Sequence, residues 1–200
     1  ERAGRLRRVV LTENALSPPV VGVPEVDNGG QGGLLGIAIA PDFETSREVF
    51  ISFAEKREGG NATAVFRGKL SRDFSRLENG KVIFRQALAI DSNRHFGSRL
   101  VFDRDGYLFV TTGDRGSHPH EAQNGASHIG KILRITRDGA SAPGNPQRAD
   151  WASEVWSIGH RNLQGAALNP ATGKLWTIEH GPRGGDEVNV PEAGKNYGWP

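Results

Sequence analysis

Three stretches of this 200-residue chain resemble one another, and they constrain its fold more than any other feature. They begin at Gly36, Arg99 and Gly165, a spacing of roughly 60 residues that is typical of repeat architectures. Each contains a short strand of small apolar residues, a turn with Pro, Asp or Gly, and a second strand rich in β-branched and aromatic residues. Two copies would be compatible with unrelated hairpins. Three copies with the same internal order favour the radially repeated four-stranded blades of a β-propeller.

Further strand candidates fill the intervals between the repeats, and no long segment has helical periodicity. The candidate strands cover residues 6–11, 36–40, 49–53, 64–70, 81–86, 99–102, 108–112, 131–136, 154–158, 165–168 and 174–178. We therefore predict an all-β chain that forms one partial β-propeller domain over residues 1–200, with blade repeats near 36–98, 99–164 and 165–200. A closed propeller needs about four to eight blades. Because this chain supplies roughly three, we expect further polypeptide to complete the ring.

Composition argues against several functional classes. The chain has no cysteine, which excludes disulfides, thiolate metal sites and cysteine nucleophiles. No apolar run approaches the roughly 20 residues needed to cross a bilayer, so no membrane span is expected. The net charge is only +2. The basic cluster of Arg5, Arg7 and Arg8 has no aromatic platform or recognition helix beside it, so we expect a solvated strand and no nucleic-acid partner.

Polar side chains stand directly before the second and third repeats. His95 precedes the second repeat, and Arg161 and Asn162 precede the third. In a propeller, these positions enter inner strands beside the central channel. Histidine is the usual general base near neutral pH, and arginine is a fixed donor suited to carboxylates or oxyanions. A single His or Arg is more often structural, but equivalent positions in two repeats predict a shared central site.

Three Gly-rich segments leave alternatives open. Residues 29–36 lack the order and the strand–turn–helix context of a dinucleotide loop, so they predict either a flexible loop or a close approach to a flat ligand with Gln31 at its rim. Residues 179–187 crowd acidic side chains with Gly and Pro carbonyls, which suits Ca²⁺ or a solvated acidic turn. Residues 113–121 contain a His-x-His pair but predict a mobile, polar connecting loop rather than a metal site.

Six motifs together resemble the soluble, PQQ-dependent aldose sugar dehydrogenases of the glucose/sorbosone dehydrogenase family. They are Gly-Leu-Leu-Gly-Ile-Ala-Ile-Ala-Pro-Asp-Phe at 33–43, His-Phe-Gly-Ser-Arg-Leu at 95–100, Thr-Gly-Asp-Arg-Gly at 112–116, Ile-Gly-His-Arg-Asn with Gln-Gly at 158–165, Glu-His-Gly-Pro-Arg-Gly-Gly-Asp-Glu-Val-Asn at 179–189 and Lys-Asn-Tyr-Gly-Trp-Pro at 195–200. The resemblance runs over essentially the whole chain. It implies a six-bladed propeller that binds PQQ and Ca²⁺ on its axis. The glucose dehydrogenase branch carries an acid where this chain has Arg94, so the aldose branch fits better.

The resemblance also implies roles for individual residues. His95 would remove the proton from the C1 hydroxyl of an aldose, while the C1 hydride passes to the C5 carbonyl of PQQ and the sugar becomes a lactone. Arg161 would stabilise the negative charge that develops on the quinone oxygen. Gln31, Arg161, Asn162 and, less directly, Gln123 would contact the cofactor.

The same resemblance implies metal sites and partners. Gly181 and Pro182 would give backbone carbonyls to the Ca²⁺ that polarises PQQ. Glu187 and Tyr197 fall where the family can hold a second, structural Ca²⁺. The implied partners are an aldose substrate, an external electron acceptor and the remainder of the propeller, and the implied location is periplasmic or secreted.

Other interpretations remain open from the sequence alone. The chain could belong to a non-catalytic propeller that serves as a binding module, or be an inactive fragment, because fold does not fix function. A Ca²⁺-dependent lactonase would need a ring of side-chain carboxylates on the axis, and none surrounds His95 and Arg161 in the sequence. The presence of both residues favours the enzyme.

Overall fold

Antiparallel strands make up most of the computed structural model, which describes all residues from 1 to 200. In chain order the elements are β1 (Val9–Val10), β2 (Ala15–Leu16), β3 (Leu34–Ile39), α1 (Phe43–Ser46), β4 (Glu48–Arg57), β5 (Gly60–Leu70), β6 (Leu77–Arg85), β7 (Leu100–Phe102), β8 (Leu108–Thr111), a 3₁₀ helix (Pro119–Gln123), β9 (Lys131–Ile135), β10 (Val155–Ile158), β11 (Leu163–Leu168), β12 (Leu175–Glu179) and β13 (Glu187–Asn189). Strands β3–β6 form sheet 1, β7–β10 form sheet 2 and β11–β13 form sheet 3, with sequential strands adjacent in each. Strands β1 and β2 pair as a separate hairpin. Neither helix is long and apolar enough to cross a membrane.

The prediction of an all-β chain is confirmed, and each of the predicted strands overlaps a strand of the structure. The predicted strand at 6–11 is reduced to the two residues of β1. The sequence missed β2, β13 and α1, which have only two to four residues and therefore too little pattern to detect. Sheets 1 and 3 each begin two residues before the predicted repeat. That each sheet is one propeller blade stays a prediction.

The three sheets pack face to face in chain order. One apolar cluster joins sheet 1 to sheet 2, with Phe50 and Val65 meeting Leu108 and Leu133. A second cluster joins sheet 2 to sheet 3, and its buried members are Phe109, Ile132, Leu163 and Leu175. Sheet 2 supplies both clusters because successive side chains of a strand point to opposite faces. Burial of both faces fixes the strand register, since a shift of one residue would exchange the two faces.

Sheet 3 has one buried and one open face. Residues along β12 alternate between buried and exposed. Three exposed residues of the sheet are large and apolar: Trp176 is 44% exposed, Ile178 55% and Val188 63%. An adjacent apolar group of this kind on one sheet face is typical of a surface that another element covers.

Lys131 at the start of β9 is the most unusual buried side chain of sheet 2. It is fully buried, and its ammonium donates hydrogen bonds to the backbone carbonyls of Glu121, Ala122 and Ile129 at 2.7, 3.0 and 2.7 Å. It thereby ties the 3₁₀ helix to sheet 2.

Replacing Lys131 by Met would leave the buried carbonyl of Ile129 without a donor, while the carbonyls of Glu121 and Ala122 would keep the backbone N–H groups of Asn124 and Gly159. We expect the free energy of unfolding to fall by about 2 kcal/mol, because one buried carbonyl keeps its desolvation penalty and the hydrogen bonds of the ammonium are lost. Urea denaturation of the full-length protein measures this change. Lys174→Met is the control, since Lys174 is exposed and its nearest carboxylate oxygen is 3.9 Å away. Equal loss in both variants would contradict the assigned role of Lys131.

Candidate active site

His95 lies in the loop that joins sheet 1 to sheet 2, held by hydrogen bonds at its backbone and its ring. Its backbone N–H donates to Oε1 of Gln31 at 2.8 Å, and its Nδ1 lies 2.6 Å from Oδ1 of Asp114. Its φ of 53° is in the left-handed region, where His, Asn and Asp are more common than other residues with a Cβ. A Cβ at Gly113 would lie 2.1 Å from the carbonyl oxygen of His95, so only glycine lets these two loops approach so closely.

Asp114 organises the surroundings of His95. Its side chain is 2% exposed. Its Oδ1 also accepts the backbone N–H of Gly116 at 2.7 Å, and its Oδ2 accepts the indole N–H of Trp199 at 2.8 Å. Burial raises the pKa of the Asp114 carboxyl, but the hydrogen bonds from His95, Gly116 and Trp199 outweigh burial and leave that pKa below its ordinary value. The carboxylate is therefore ionised at neutral pH.

The ionised carboxylate fixes the tautomer of His95. A carboxylate can only accept, so Nδ1 of the imidazole carries the proton that lies between the two groups. In the neutral ring, Nε2 then has a free lone pair. A proton-accepting nitrogen on a ring held by a carboxylate is what a general base requires.

Arg161 lies in the turn between β10 and β11, next to the His95–Asp114 pair. Its carbonyl accepts the backbone N–H of Asp114 at 2.8 Å. Its own N–H donates to Oε2 of Glu179 at 2.7 Å, and its Nη1 donates to the carbonyl of His180 at 3.0 Å. Its Nε is buried without a hydrogen-bond partner. A buried charged donor without a partner points to a ligand oxygen at this position.

A polar cleft of about 200 Å³ lies beside these residues. Its lining residues are Gln31, Leu35, Phe96, Gly97, Arg99, Asn162, Gln164 and His180. Oδ1 of Asn162 accepts the backbone N–H of Gly97 at 3.3 Å and Nε2 of Gln164 at 3.0 Å. Two of the predicted cofactor contacts, Gln31 and Asn162, thus share one cleft.

The four predicted metal-binding residues line a second, smaller cavity of about 30 Å³. Gly181, Pro182, Glu187 and Tyr197 surround it together with Arg161. A cavity of this size has room for an ion or a water molecule. The hydroxyl of Tyr197 accepts the N–H of Glu192 at 2.9 Å and donates to the carbonyl of Val190 at 3.2 Å. No group of three or more His, Cys, Asp or Glu side chains forms a metal cluster.

Gln123 lies with the C-terminal segment rather than in either cavity. Its amide exchanges hydrogen bonds with the side chain of Asn196, and its Nε2 also donates to the carbonyl of Trp199. Its direct contact with a cofactor stays a prediction, and its observed role is to hold residues 196–199 against the 3₁₀ helix.

The sequence did not assign roles to Asp114, Trp199 or the buried pair of His160 and Glu179. His160 is fully buried, its Nδ1 lies 2.9 Å from Oε1 of Glu179, and its ring stacks on Tyr197. The motifs at 112–116 and 195–200 contained the first two residues, but nothing local indicates that residues 85 positions apart meet.

The prediction of a mobile, polar loop at 113–121 is wrong for its first residues, since Asp114 and Arg115 are both buried. Arg115 lies over the ring of Phe96 and donates to Asn61, Ser92 and Arg94. A Gly- and Ser-rich pattern conceals such side chains because their partners come from distant loops.

The whole chain is similar in sequence and in structure to known sugar dehydrogenases. The family model for glucose/sorbosone dehydrogenase matches residues 1–200. The chain is 46% identical over 202 residues to the aldose sugar dehydrogenase YliI of Escherichia coli K12. A crystal structure of a glucose dehydrogenase superposes with a TM-score of 0.96 at 53% identity, covering 100% of this chain and 58% of the other. The PQQ-bound aldose sugar dehydrogenase of Streptomyces coelicolor superposes with a TM-score of 0.85 at 33% identity, covering 99% of this chain and 57% of the other.

The chain spans about half the length of the relatives that it matches. The alignment with the E. coli protein includes 100% of this chain and 54% of that protein. The match nevertheless extends from the first residue to the last and includes every residue of both cavities. On this basis the chain belongs to the glucose/sorbosone dehydrogenase family.

Proposed function

We propose that the protein containing this chain oxidises aldose sugars at C1 to the lactone, with PQQ and Ca²⁺ as cofactors. The observation that carries the proposal is the His95–Asp114 pair, which lies between the polar cleft and the turn of Arg161. The PQQ-bound relative supports the choice of cofactor.

The residues present fit both cofactors. PQQ is a flat polyanion, and the Nε of Arg161 is a buried donor without a partner. The small cavity is bordered by Gly and Pro backbone and by a carboxylate, which offer the hard oxygen ligands that Ca²⁺ takes. We propose that the backbone carbonyls of Gly181 and Pro182 hold the catalytic ion in this cavity, which has room for one ion, and that Glu187 and Tyr197 serve a structural Ca²⁺ outside it.

The chain's own residues supply proton transfer and charge. Nε2 of His95 takes the proton of the C1 hydroxyl, and Asp114 stabilises the imidazolium that forms, as a carboxylate behind a histidine base does in other enzymes. Arg161 offers a fixed positive charge to oxygen that becomes negative during the reaction. Gln31 and Asn162 orient ligands in the cleft. When bound, PQQ would supply the two-electron acceptor for the C1 hydride, and Ca²⁺ would polarise its quinone.

We further propose that the three sheets are three blades of a six-bladed propeller. The open apolar face of sheet 3, formed by Trp176, Ile178 and Val188, is where the remainder of the protein would pack. The relatives are about twice as long as this chain, so they have enough residues for the other blades. A periplasmic or secreted location and an external electron acceptor complete the proposal.

Reconstitution of the full-length protein tests this function. We expect aldose-dependent dye reduction only when both PQQ and Ca²⁺ are added, and we expect a chelator to abolish it until Ca²⁺ is restored. The variant Glu187→Gln should raise the Ca²⁺ concentration needed for half-maximal activity.

A fully reconstituted protein that binds sugar but reduces no dye would identify a binding module instead. Dye reduction that persists without PQQ would also contradict the proposal. Lactone detected by its hydrolysis to the acid identifies C1 as the oxidised carbon.

A further inference from the structure

Trp199 contacts both the His95–Asp114 pair and Arg161 in the candidate active site. Its indole N–H donates to Oδ2 of Asp114 at 2.8 Å, while Oδ1 of the same carboxylate faces Nδ1 of His95 at 2.6 Å. The guanidinium of Arg161 lies 5.2 Å from the centre of the Trp199 ring. The same tryptophan also lines the small cavity beside Gly181.

The position of Trp199 is fixed from its backbone. Its N–H donates to the carbonyl of Gly159 at 3.0 Å, and its carbonyl accepts from Nε2 of Gln123. Gly159 has a φ of 79°, and a Cβ there would lie 2.8 Å from the backbone nitrogen of Gly198, so this turn admits the segment only because it has glycine. The indole is therefore held at Asp114 by the fold rather than by a flexible surface contact.

We propose that Trp199 is a positioning residue that sets the basicity of His95 through the carboxylate of Asp114. This inference rests on the proposed function. A donor on Oδ2 disperses part of the carboxylate charge, so less of that charge stabilises a protonated His95. The ring also supports Arg161, so one side chain fixes both the base and the cationic group.

Asp114 is the carboxylate that hydrogen-bonds the His95 ring, and the other nearby charged groups make no hydrogen bond to that ring. The arginines around the loop cluster are Arg94, Arg99, Arg115 and Arg161, which stay protonated near neutral pH. The titratable groups are Asp27 and Asp91, which line a neighbouring cavity with Arg94 and Arg115, Glu179, which accepts the N–H of Arg161, and His180, whose Nδ1 lies 3.6 Å from Asp186. Asp114 is the group whose interaction with His95 a change at Trp199 alters.

Trp199→Phe removes the N–H and keeps an aromatic ring beneath Arg161. We expect the titration midpoint of His95 to move up by about half a pH unit, because Asp114 then presents more negative charge. Side-chain NMR of histidine-labelled, PQQ-free full-length protein measures this shift directly. The acidic limb of the pH profile of kcat/KM for the reconstituted enzyme should move to higher pH by the same amount.

Trp156→Phe is a matched control, because the indole N–H of Trp156 is buried without a hydrogen-bond partner. It removes an equivalent group that bonds nothing, so the titration of His95 should not move. A titration curve of Trp199→Phe that coincides with that of Trp156→Phe would overturn the proposal.

A double-mutant cycle separates this role from general destabilisation. If Trp199 acts through Asp114, adding Trp199→Phe to Asp114→Asn should shift His95 no further, whereas additive shifts would contradict the proposal. In the wild-type protein, the chemical shift of the Trp199 indole N–H should change with pH at the same midpoint as the His95 ring. A Trp199 resonance that does not change at that pH would contradict the proposal, and this measurement does not depend on the folding of any variant. Because the NMR titration needs no turnover, it tests the role of Trp199 separately from the dehydrogenase activity. A negative NMR result would therefore contradict only the role of Trp199, and a negative dye-reduction assay would contradict only the proposed function.

Discussion

His95→Asn is expected to lower kcat by about three orders of magnitude, which lies within the range that a general base contributes. Asparagine tolerates the left-handed backbone at this position, with its φ of 53°. Its amide can donate to Asp114 where Nδ1 of the imidazole does now. The variant therefore keeps the loop and its hydrogen bond but has no nitrogen lone pair to accept the sugar proton.

The measurement is steady-state dye reduction with saturating aldose, together with a fluorescence titration of PQQ. We expect the affinity for PQQ to remain nearly unchanged, because the backbone N–H at this position would still donate to Gln31 after the substitution. His120→Gln is the control, since His120 is exposed and lies outside both cavities. Retention of normal kcat by the His95 variant would exclude this residue as the base.

Arg161→Lys is expected to lower kcat by about two orders of magnitude, the usual effect of removing one donor that stabilises developing negative charge. Lysine keeps the positive charge but has no planar fork and no Nε donor, which is the buried atom without a partner in Arg161. The change thus tests the geometry of the donor rather than its charge.

Arg148→Lys is a closely matched control. Arg148 also lies over a tryptophan, Trp151, with 4.6 Å between the guanidinium and the ring centre, and it also donates to a backbone carbonyl, that of Gly194, at 3.0 Å. It lies outside both cavities. Equal losses in the two variants would show that Arg161 acts only as a structural brace, and a loss confined to Arg161→Lys supports its role in the reaction.

The fold was largely predictable because the repeats carry strong local signals. Short apolar runs identified strands such as β8 and β9, and the Asp-Gly turns at 105–106 and 138–139 lie outside strands as expected. The Asn79-Gly80 pair, which predicted a turn, lies inside β6 instead. Strand β13 was missed because it has three residues, and its place in sheet 3 depends on pairing with β12. Such pairing is set by tertiary contacts that a local pattern does not contain.

The candidate site was predictable only in part. His95 and Arg161 stood out because both precede a repeat, and family resemblance supplied the four residues of the small cavity. Asp114 and Trp199 did not stand out, since an Asp in a Gly-rich loop and a Trp in a turn usually have local roles. Their importance arises from the meeting of loops far apart in sequence, which only the packed sheets bring about.

The central claim is that His95, with Asp114 behind it, removes a proton from an aldose while the C1 hydrogen leaves as hydride. The most direct measurement is anaerobic mixing of the PQQ-loaded, full-length protein with glucose and with glucose deuterated at C1, followed by the absorbance of the quinone. We expect one lactone for each quinone reduced, a slower reduction with the deuterated sugar, and a loss of rate as the pH falls through the range in which His95 becomes protonated. Fully loaded protein that shows no reduction with any aldose, or a reduction insensitive to deuterium and to His95→Asn, would contradict the account.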